Sequence, residues 1–203
     1  MLSLIKKHFN KHKLMNKLIG KKLSVNVRVI ITDGSHPIGN GIGPLLEAED
    51  VMAVLRNDPL APLDLKEKSL MMAGILLEMA KCCTVGEGRR LAEEMLESGK
   101  ALKKMNDIIL AQGKQEMPIP GKYRCAVKSS KSGQVTEIDN EIIAKAARIA
   151  GAPDDQGAGL YLSKKINSRV QKGQLLYTIY AESQFKLGRA KEFVTDNNGY
   201  VMK

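Results

Sequence analysis

The sequence predicts an α/β module followed by a smaller α+β module. A β-branched run at 24–32 leads through a glycine-rich loop into an apolar pattern with helical spacing, the strand–loop–helix order of α/β proteins. Prolines and glycines then cluster at 112–122, where the composition changes. Beyond this cluster, short apolar segments are separated by turn residues, which indicates a strand-rich module. We therefore predict a linker at 114–122.

The first 24 residues predict a basic amphipathic helix. Residues 1–28 contain eight basic residues and no acidic one, whereas the rest of the chain has 24 basic against 22 acidic residues. Most of the net charge of +10 therefore comes from this N-terminal segment, called the arm below. The charge does not indicate a nucleic-acid-binding protein. His8 and His12 are four residues apart, a spacing at which two histidines on a helix can bind one metal ion. No acidic residue accompanies them in this segment, which favours two solvated histidines.

The α/β module is predicted at 25–113. A buried strand, Ser24–Thr32, precedes the glycine loop, defined here as residues 34–43, and Pro44 suits the first turn of the next helix. Asp64–Glu67 resembles a capping box that opens a helix through Met79. Two short helices follow, at Arg89–Glu97 and Lys100–Ala111.

The α+β module is predicted at 123–203. We expect two helices, at Glu141–Ala150 and Gln184–Phe193, and a short final strand after the turn Asn197–Gly199. The other predicted strands are Tyr123–Lys128, Gly133–Ile138, Gly159–Ser163 and Leu175–Ala181. Two of these segments resemble the paired strands of biotinyl and lipoyl carrier domains. Lys131 lies between serines, so the resemblance reaches the barrel-sandwich scaffold and leaves carrier function a minor hypothesis.

The glycine loop matches neither common nucleotide-binding motif. Its spacing is G-x-G-x-G, and the chain contains no Gly-Lys-Ser/Thr. The glycines allow a ligand to approach the backbone near the positive end of the following helix, while a tight turn explains them equally well. Asp33 and His36 are candidates for an acid/base pair, but a histidine in such a loop is more often a surface hydrogen-bonding residue.

Composition narrows the class of protein. The three cysteines form no C-x-x-C, which disfavours a disulfide framework and a zinc site. No apolar run is long enough to span a membrane, and lysines interrupt the N-terminal segment where a signal peptide needs an apolar core. We expect a cytoplasmic protein with no membrane partner.

Several blocks of the chain are informative in their order and spacing: Ile31–Ala48, Leu96–Ala101, Ile108–Gly113, Ser132–Val135, Ala150–Pro153 and Lys172–Glu182. Together they resemble the type II pyrimidine nucleoside phosphorylases, the family of the thymidine phosphorylases and the archaeal-type AMP phosphorylases. The resemblance runs from about Val25 to the C-terminus and matches only the C-terminal portion of the family. It implies the lower part of a phosphorylase α/β domain followed by a barrel-sandwich-like α+β domain.

The resemblance also implies an activity, a pocket and a cation. The family cleaves N-glycosidic bonds with phosphate as co-substrate, acting on AMP or on a pyrimidine nucleoside, and uses no organic cofactor. Thr32, Asp33, Gly34 and Ser35 would form a wall of the substrate pocket. Some relatives hold potassium through two carbonyls and a carboxylate, which correspond to Ile38, Gly41 and Asp50.

The resemblance places the phosphate loop and the base-holding residues upstream, so it implies no catalytic residue in this chain and no turnover by the chain alone. The expected partners are the small-molecule substrates and either further copies of the chain or a separate N-terminal half. A non-catalytic scaffold or assembly module is the alternative function. Nucleic-acid binding by the arm ranks third.

Overall fold

The computed structural model describes residues 15–16, 18–113 and 116–203. It divides into two compact units, with the boundary between Gly34 and Ser35. The predicted linker at 114–122 lies inside the second unit, and the predicted domain bounds stay a prediction.

The described part of the first unit contains a short helical stretch followed by a segment without regular secondary structure. Residues 18–22 are helical, while residues 25–34 form neither helix nor strand. The buried strand predicted at Ser24–Thr32 is therefore wrong, and the side chains of Val25 and Ile31 are more than half exposed. A strand needs a neighbour to pair its N–H and C=O groups, and among the described residues none pairs with this segment. His8 and His12, with most of the predicted basic helix, lie outside the described residues.

Four helices form the first half of the second unit. They are α1 (Pro44–Leu55), α2 (Leu63–Met79), α3 (Gly88–Glu97) and α4 (Lys100–Ala111). These bounds confirm the helices predicted from apolar spacing, including Pro44 in the first turn of α1. Their shared core is small and consists of Val54, Ala61, Leu70, Ala92 and Leu96.

The capping box predicted at Asp64–Glu67 is wrong. The N-cap residue of α2 is Pro62, so Asp64 already lies within the first turn. Its Oδ1 accepts hydrogen bonds from the backbone N–H of Leu65 at 2.9 Å and of Gly39 at 3.4 Å. The Asp64 carboxylate therefore ties the start of α2 to the glycine loop.

The second half of this unit is built from antiparallel strands and two helices. The helices are α5 (Asn140–Ala150) and α6 (Gln184–Asp196). The strands are β1 (Gly41–Ile42), β2 (Tyr123–Lys128), β3 (Gly133–Ile138), β4 (Gly159–Leu162), β5 (Arg169–Val170), β6 (Leu175–Ala181) and β7 (Tyr200–Met202). All strands predicted beyond residue 122 are confirmed.

Two sheets enclose the main core. One has the strand order β1-β4-β6-β2 and the other β5-β3-β7, and within the described residues neighbouring strands pair antiparallel. Fully buried side chains from both sheets and from α5 fill the space, among them Val135, Ile143, Leu160, Leu176 and Tyr177. No helix in the described part of the chain is long and apolar enough to cross a bilayer.

The glycine loop contributes an edge strand to the first of these sheets. Gly41 pairs with Tyr161 and Ile42 with Leu160. The sequence predicts this loop at the carboxyl end of a buried strand, but the described chain places it at an antiparallel sheet edge. The loop is thus joined directly to the strand-rich half of the unit.

Candidate functional site

The loop between Ser35 and Gly43 is held by a buried carboxylate. Asp50, on α1, is 6% exposed, and its Oδ2 accepts hydrogen bonds from the backbone N–H groups of Asn40 at 2.6 Å and Gly41 at 2.7 Å. Because bonds to a buried charged group are stronger than neutral ones, this carboxylate fixes the loop conformation.

The end of the loop lies against the backbone of the strand-rich half. Gly43 has φ 125°, and a Cβ placed there would lie 2.4 Å from the carbonyl oxygen of Ala158. Its N–H donates to Glu47 Oε1 at 2.9 Å, and the N–H of Leu45 donates to the Gln156 carbonyl at 3.3 Å. Only glycine combines this dihedral angle with so close an approach.

A lysine from the strand-rich half contacts the other end of the loop. The Lys165 Nζ donates to the carbonyl oxygen of Pro37 at 3.0 Å and to that of Gly39, and it lies 2.8 Å from Asp64 Oδ2. Burial alone would raise the pKa of Asp64, but the ammonium of Lys165 and the N–H groups of Leu65 and Gly39 hold it below the usual value. Asp64 is therefore a stable anion at neutral pH.

A cavity of 460 Å³ opens beside this loop. Its lining combines loop backbone and apolar side chains, such as those of Pro37, Ile38 and Leu65, with a few polar groups, among them Asp50 and Asn140. A cavity of this size, with a mainly apolar lining and a few polar groups, is of the kind that admits a small ligand. The described residues contain no cluster of three or more His, Cys, Asp or Glu able to hold a metal ion.

Comparison with known proteins identifies the chain's relatives. Residues 134–200 match the model of the pyrimidine nucleoside phosphorylase C-terminal domain. The chain is 46% identical over 183 residues to the protein of Methylococcus capsulatus named "Putative thymidine phosphorylase", covering 90% of this chain and 36% of that protein. It is 44% identical over 176 residues to the AMP phosphorylase of Methanocaldococcus jannaschii, covering 85% and 35% respectively.

The chain corresponds to the C-terminal portion of the pyrimidine nucleoside phosphorylase family. This confirms the family indicated by the sequence blocks. The family and its named members are pentosyltransferases of the nucleoside phosphorylase type. The chain spans about a third of the length of the curated relatives it matches, 36% for the first of them.

The pocket wall expected from the phosphorylase family falls on both units. Thr32, Asp33 and Gly34 belong to the first unit and Ser35 to the second, and all four are exposed. Ser35 Oγ lies 3.1 Å from Nδ1 of His36, which fits the surface hydrogen-bonding role for this histidine. The pocket wall stays a prediction.

The potassium site that the phosphorylase resemblance implies is not favoured by these contacts. Its carboxylate, Asp50, directs Oδ2 towards two N–H donors, which repel a cation. The Lys165 ammonium accounts for the positive charge at this loop. It contacts the carbonyl oxygens of Pro37 and Gly39, whereas the resemblance implies those of Ile38 and Gly41. The potassium site stays a prediction.

Sequence reasoning missed both Lys165 and the role of Asp64. Lys165 is one of two adjacent lysines in a turn and lies 126 residues from Gly39, so no local spacing marks it. Asp64 was identified, but as a helix cap. Only the folded chain brings them together.

Proposed function

We propose that these 203 residues form the C-terminal part of a phosphorylase that cleaves the N-glycosidic bond of AMP or of a pyrimidine nucleoside. The observation that carries this proposal is the 44% identity with an AMP phosphorylase over 85% of the chain. Relatives named for thymidine phosphorylase, up to 50% identical over 166 residues, leave the nucleoside as the second substrate class.

In the proposed reaction, a phosphate oxygen attacks the anomeric carbon of the pentose. The bond from this carbon to the base nitrogen breaks, and its electron pair leaves with the base, which then takes up a proton. AMP gives adenine and ribose 1,5-bisphosphate, and a nucleoside gives its base and a pentose 1-phosphate. Placement of the reactants and electrostatic stabilisation of the charged transition state supply most of the rate.

The role proposed for this chain is to form one side of the substrate pocket. Thr32, Asp33, Gly34 and Ser35 would line that side. We assign no catalytic residue to this chain, and we expect the chain alone to be inactive, because it matches 36% of the first relative's length and the resemblance places the phosphate loop upstream of the matched part.

The proposal extends to the architecture and the compartment. We infer that the two antiparallel sheets form a barrel-sandwich scaffold, an inference supported by their shared core. We infer a cytoplasmic location, which the three free cysteines support.

The test is a chimera in which this chain replaces the matching C-terminal portion of the Methanocaldococcus jannaschii AMP phosphorylase. We expect phosphate-dependent release of adenine from AMP by the chimera and none by the 203-residue chain, measured by chromatography. Pyrimidine nucleosides with phosphate form the second arm, and omission of phosphate is the control. A folded chimera without release of any base contradicts the proposal, and turnover by the chain alone shows that catalytic groups lie within it.

A non-catalytic assembly module is the second candidate function. It is favoured by large apolar side chains at the surface, among them Leu60, Leu63 and Leu76, which are 85%, 72% and 63% exposed. Such groups mark association surfaces when they lie together. The partner would be a separate N-terminal half or another copy of the chain.

A further inference from the structure

The ammonium group of Lys165 lies among oxygen atoms from two other segments. A lysine ammonium has three N–H donors and no acceptor. Three oxygens face it here: the carbonyls of Pro37 and Gly39 and the carboxylate Oδ2 of Asp64. Carbonyl and carboxylate oxygens gathered around one positive charge are also the ligands that a bound monovalent cation takes in a protein.

The turn that carries Lys165 is fixed by the strand-rich half. The backbone N–H groups of Ser163 and Lys164 donate to the Leu176 carbonyl, and the N–H of Lys165 donates to Ser168 Oγ. The hydroxyl of Tyr200 donates to the Lys164 carbonyl at 2.7 Å, next to the lysine. The backbone of Lys165 is therefore held in place by hydrogen bonds, and its side chain is 27% exposed.

The oxygens around the ammonium depend on it. Within the described residues, Asp64 Oδ2 is buried and has no hydrogen bond of good geometry, so the Lys165 charge at 2.8 Å is what compensates it. The carbonyls of Pro37 and Gly39 lie in the glycine loop and point at the same charge. Removing the ammonium leaves a buried anion and two converging carbonyl dipoles without a positive partner.

We propose that Lys165 is a tethered cation that holds the glycine loop, and that it takes over, through other oxygens of the same loop, the role of the free potassium ion that the family resemblance implies. The lysine joins three parts of the chain at once: the loop, the first turn of α2 and the turn after β4. Asp50 is then free to hold the loop from its other side through N–H donors. The role of Lys165 is one of positioning, and it does not depend on the chain being a phosphorylase.

The proposal is tested by removing the ammonium and offering a free one. In Lys165→Ala, we expect the unfolding midpoint in sodium chloride to fall by about 5 to 10 °C. Ammonium or potassium chloride at the same ionic strength should restore at least half of that loss. The wild-type midpoint should be the same in potassium and sodium chloride, since its cation position is already filled.

Lys186→Ala is the matched control. Lys186 Nζ contacts Asp155 Oδ2 at 2.6 Å, an ion pair for which the described residues show no carbonyl ligand. Its removal should lower the midpoint without any difference between the three salts. Rescue of both variants alike would reveal a general salt effect and overturn the proposal.

Further outcomes are equally decisive. Stabilisation of the wild-type chain by potassium over sodium would establish a free-ion site and overturn the proposal, as would a Lys165→Ala midpoint that no cation restores. If Lys165→Ala fails to fold, Lys165→Met keeps the aliphatic stem and is measured in the same salts. If both fail, recovery of folded protein on refolding in ammonium or potassium chloride, but not in sodium chloride, supports the proposal, and its absence overturns it.

Discussion

At the residue scale, Asp50 links the glycine loop to the helix that follows it. One carboxylate oxygen accepts two backbone N–H groups of the loop from within α1. Both donors would be left without this acceptor if the carboxylate were removed, and an unsatisfied buried donor costs more than the bond itself contributes. The Asp50 carboxylate therefore stabilises the loop conformation.

We expect Asp50→Ala to lower the free energy of unfolding by about 3 kcal/mol, because two charge-assisted hydrogen bonds are lost in a buried setting. Urea denaturation followed by circular dichroism measures the change. Glu49→Ala is the control, since Glu49 is the exposed neighbour on the same helix, and it should change the stability by less than about 0.5 kcal/mol. Equal effects of the two substitutions would show that the hydrogen bonds to Asp50 contribute little.

Lys165 and Asp64 act at the same scale but across the chain. Each is one charged side chain among many in the sequence, and their pairing depends on positions 101 residues apart in the numbering. The sequence therefore shows that Asp64 and Lys165 carry opposite charges, but it does not show that they are partners.

At the element scale, the junction of the glycine loop with β4 determines how the helical half meets the strand-rich half. Gly43 immediately precedes α1, and its Cα faces the carbonyl of Ala158 just before β4. Strand β1 continues the contact by pairing with β4. The first helix is thus attached to the sheet through backbone groups as well as side chains.

Gly43→Ala should lower the free energy of unfolding by about 2 kcal/mol or more, since the methyl group meets a carbonyl oxygen in a left-handed backbone region. The paired control is Gly188→Ala. Gly188 lies within α6 with open space around its Cα, so alanine should stabilise the chain by about 0.5 to 1 kcal/mol. Thermal unfolding of both variants measures whether each substitution raises or lowers the stability. A Gly43→Ala variant as stable as the wild type would mean that the loop can move away from β4.

At the scale of the whole molecule, the helical half exposes several large apolar side chains. The exposed leucines at and before α2 are accompanied by Val85 and Met72 on the same half of the unit, while the buried helical core contains few residues. A small core with large exposed apolar groups is typical of a segment that is covered in its assembled state. The relatives, which extend well beyond the length matched here, are consistent with such cover.

The purified chain should therefore associate with itself at high concentration, and Leu76→Asp should weaken that association about tenfold or more, since burial of one leucine contributes about 1.5 to 3 kcal/mol. Sedimentation velocity over a concentration series measures the effect. Phe185→Asp is the control, because Phe185 is 73% exposed but lies on α6. A chain that stays monomeric at every concentration, or a loss only in Phe185→Asp, would show that α2 is not the associating face.

The sequence by itself determined the local elements and the family. Apolar spacing located α1 to α4 and, beyond residue 122, every described strand except β5, because side-chain periodicity and turn residues act over a few positions. Ordered blocks identified the phosphorylase family, since each block reflects a segment shared with the relatives.

Only the tertiary structure decided what depends on distant partners. Val25 to Thr32 has strand composition but no strand neighbour among the described residues, so composition alone could not settle its state. The same holds for the glycine loop, whose nature as a cation site or a tight turn could not be read from its own residues. Asp50, Asp64 and Lys165 hold it through contacts that form only when the helical and strand-rich halves fold together.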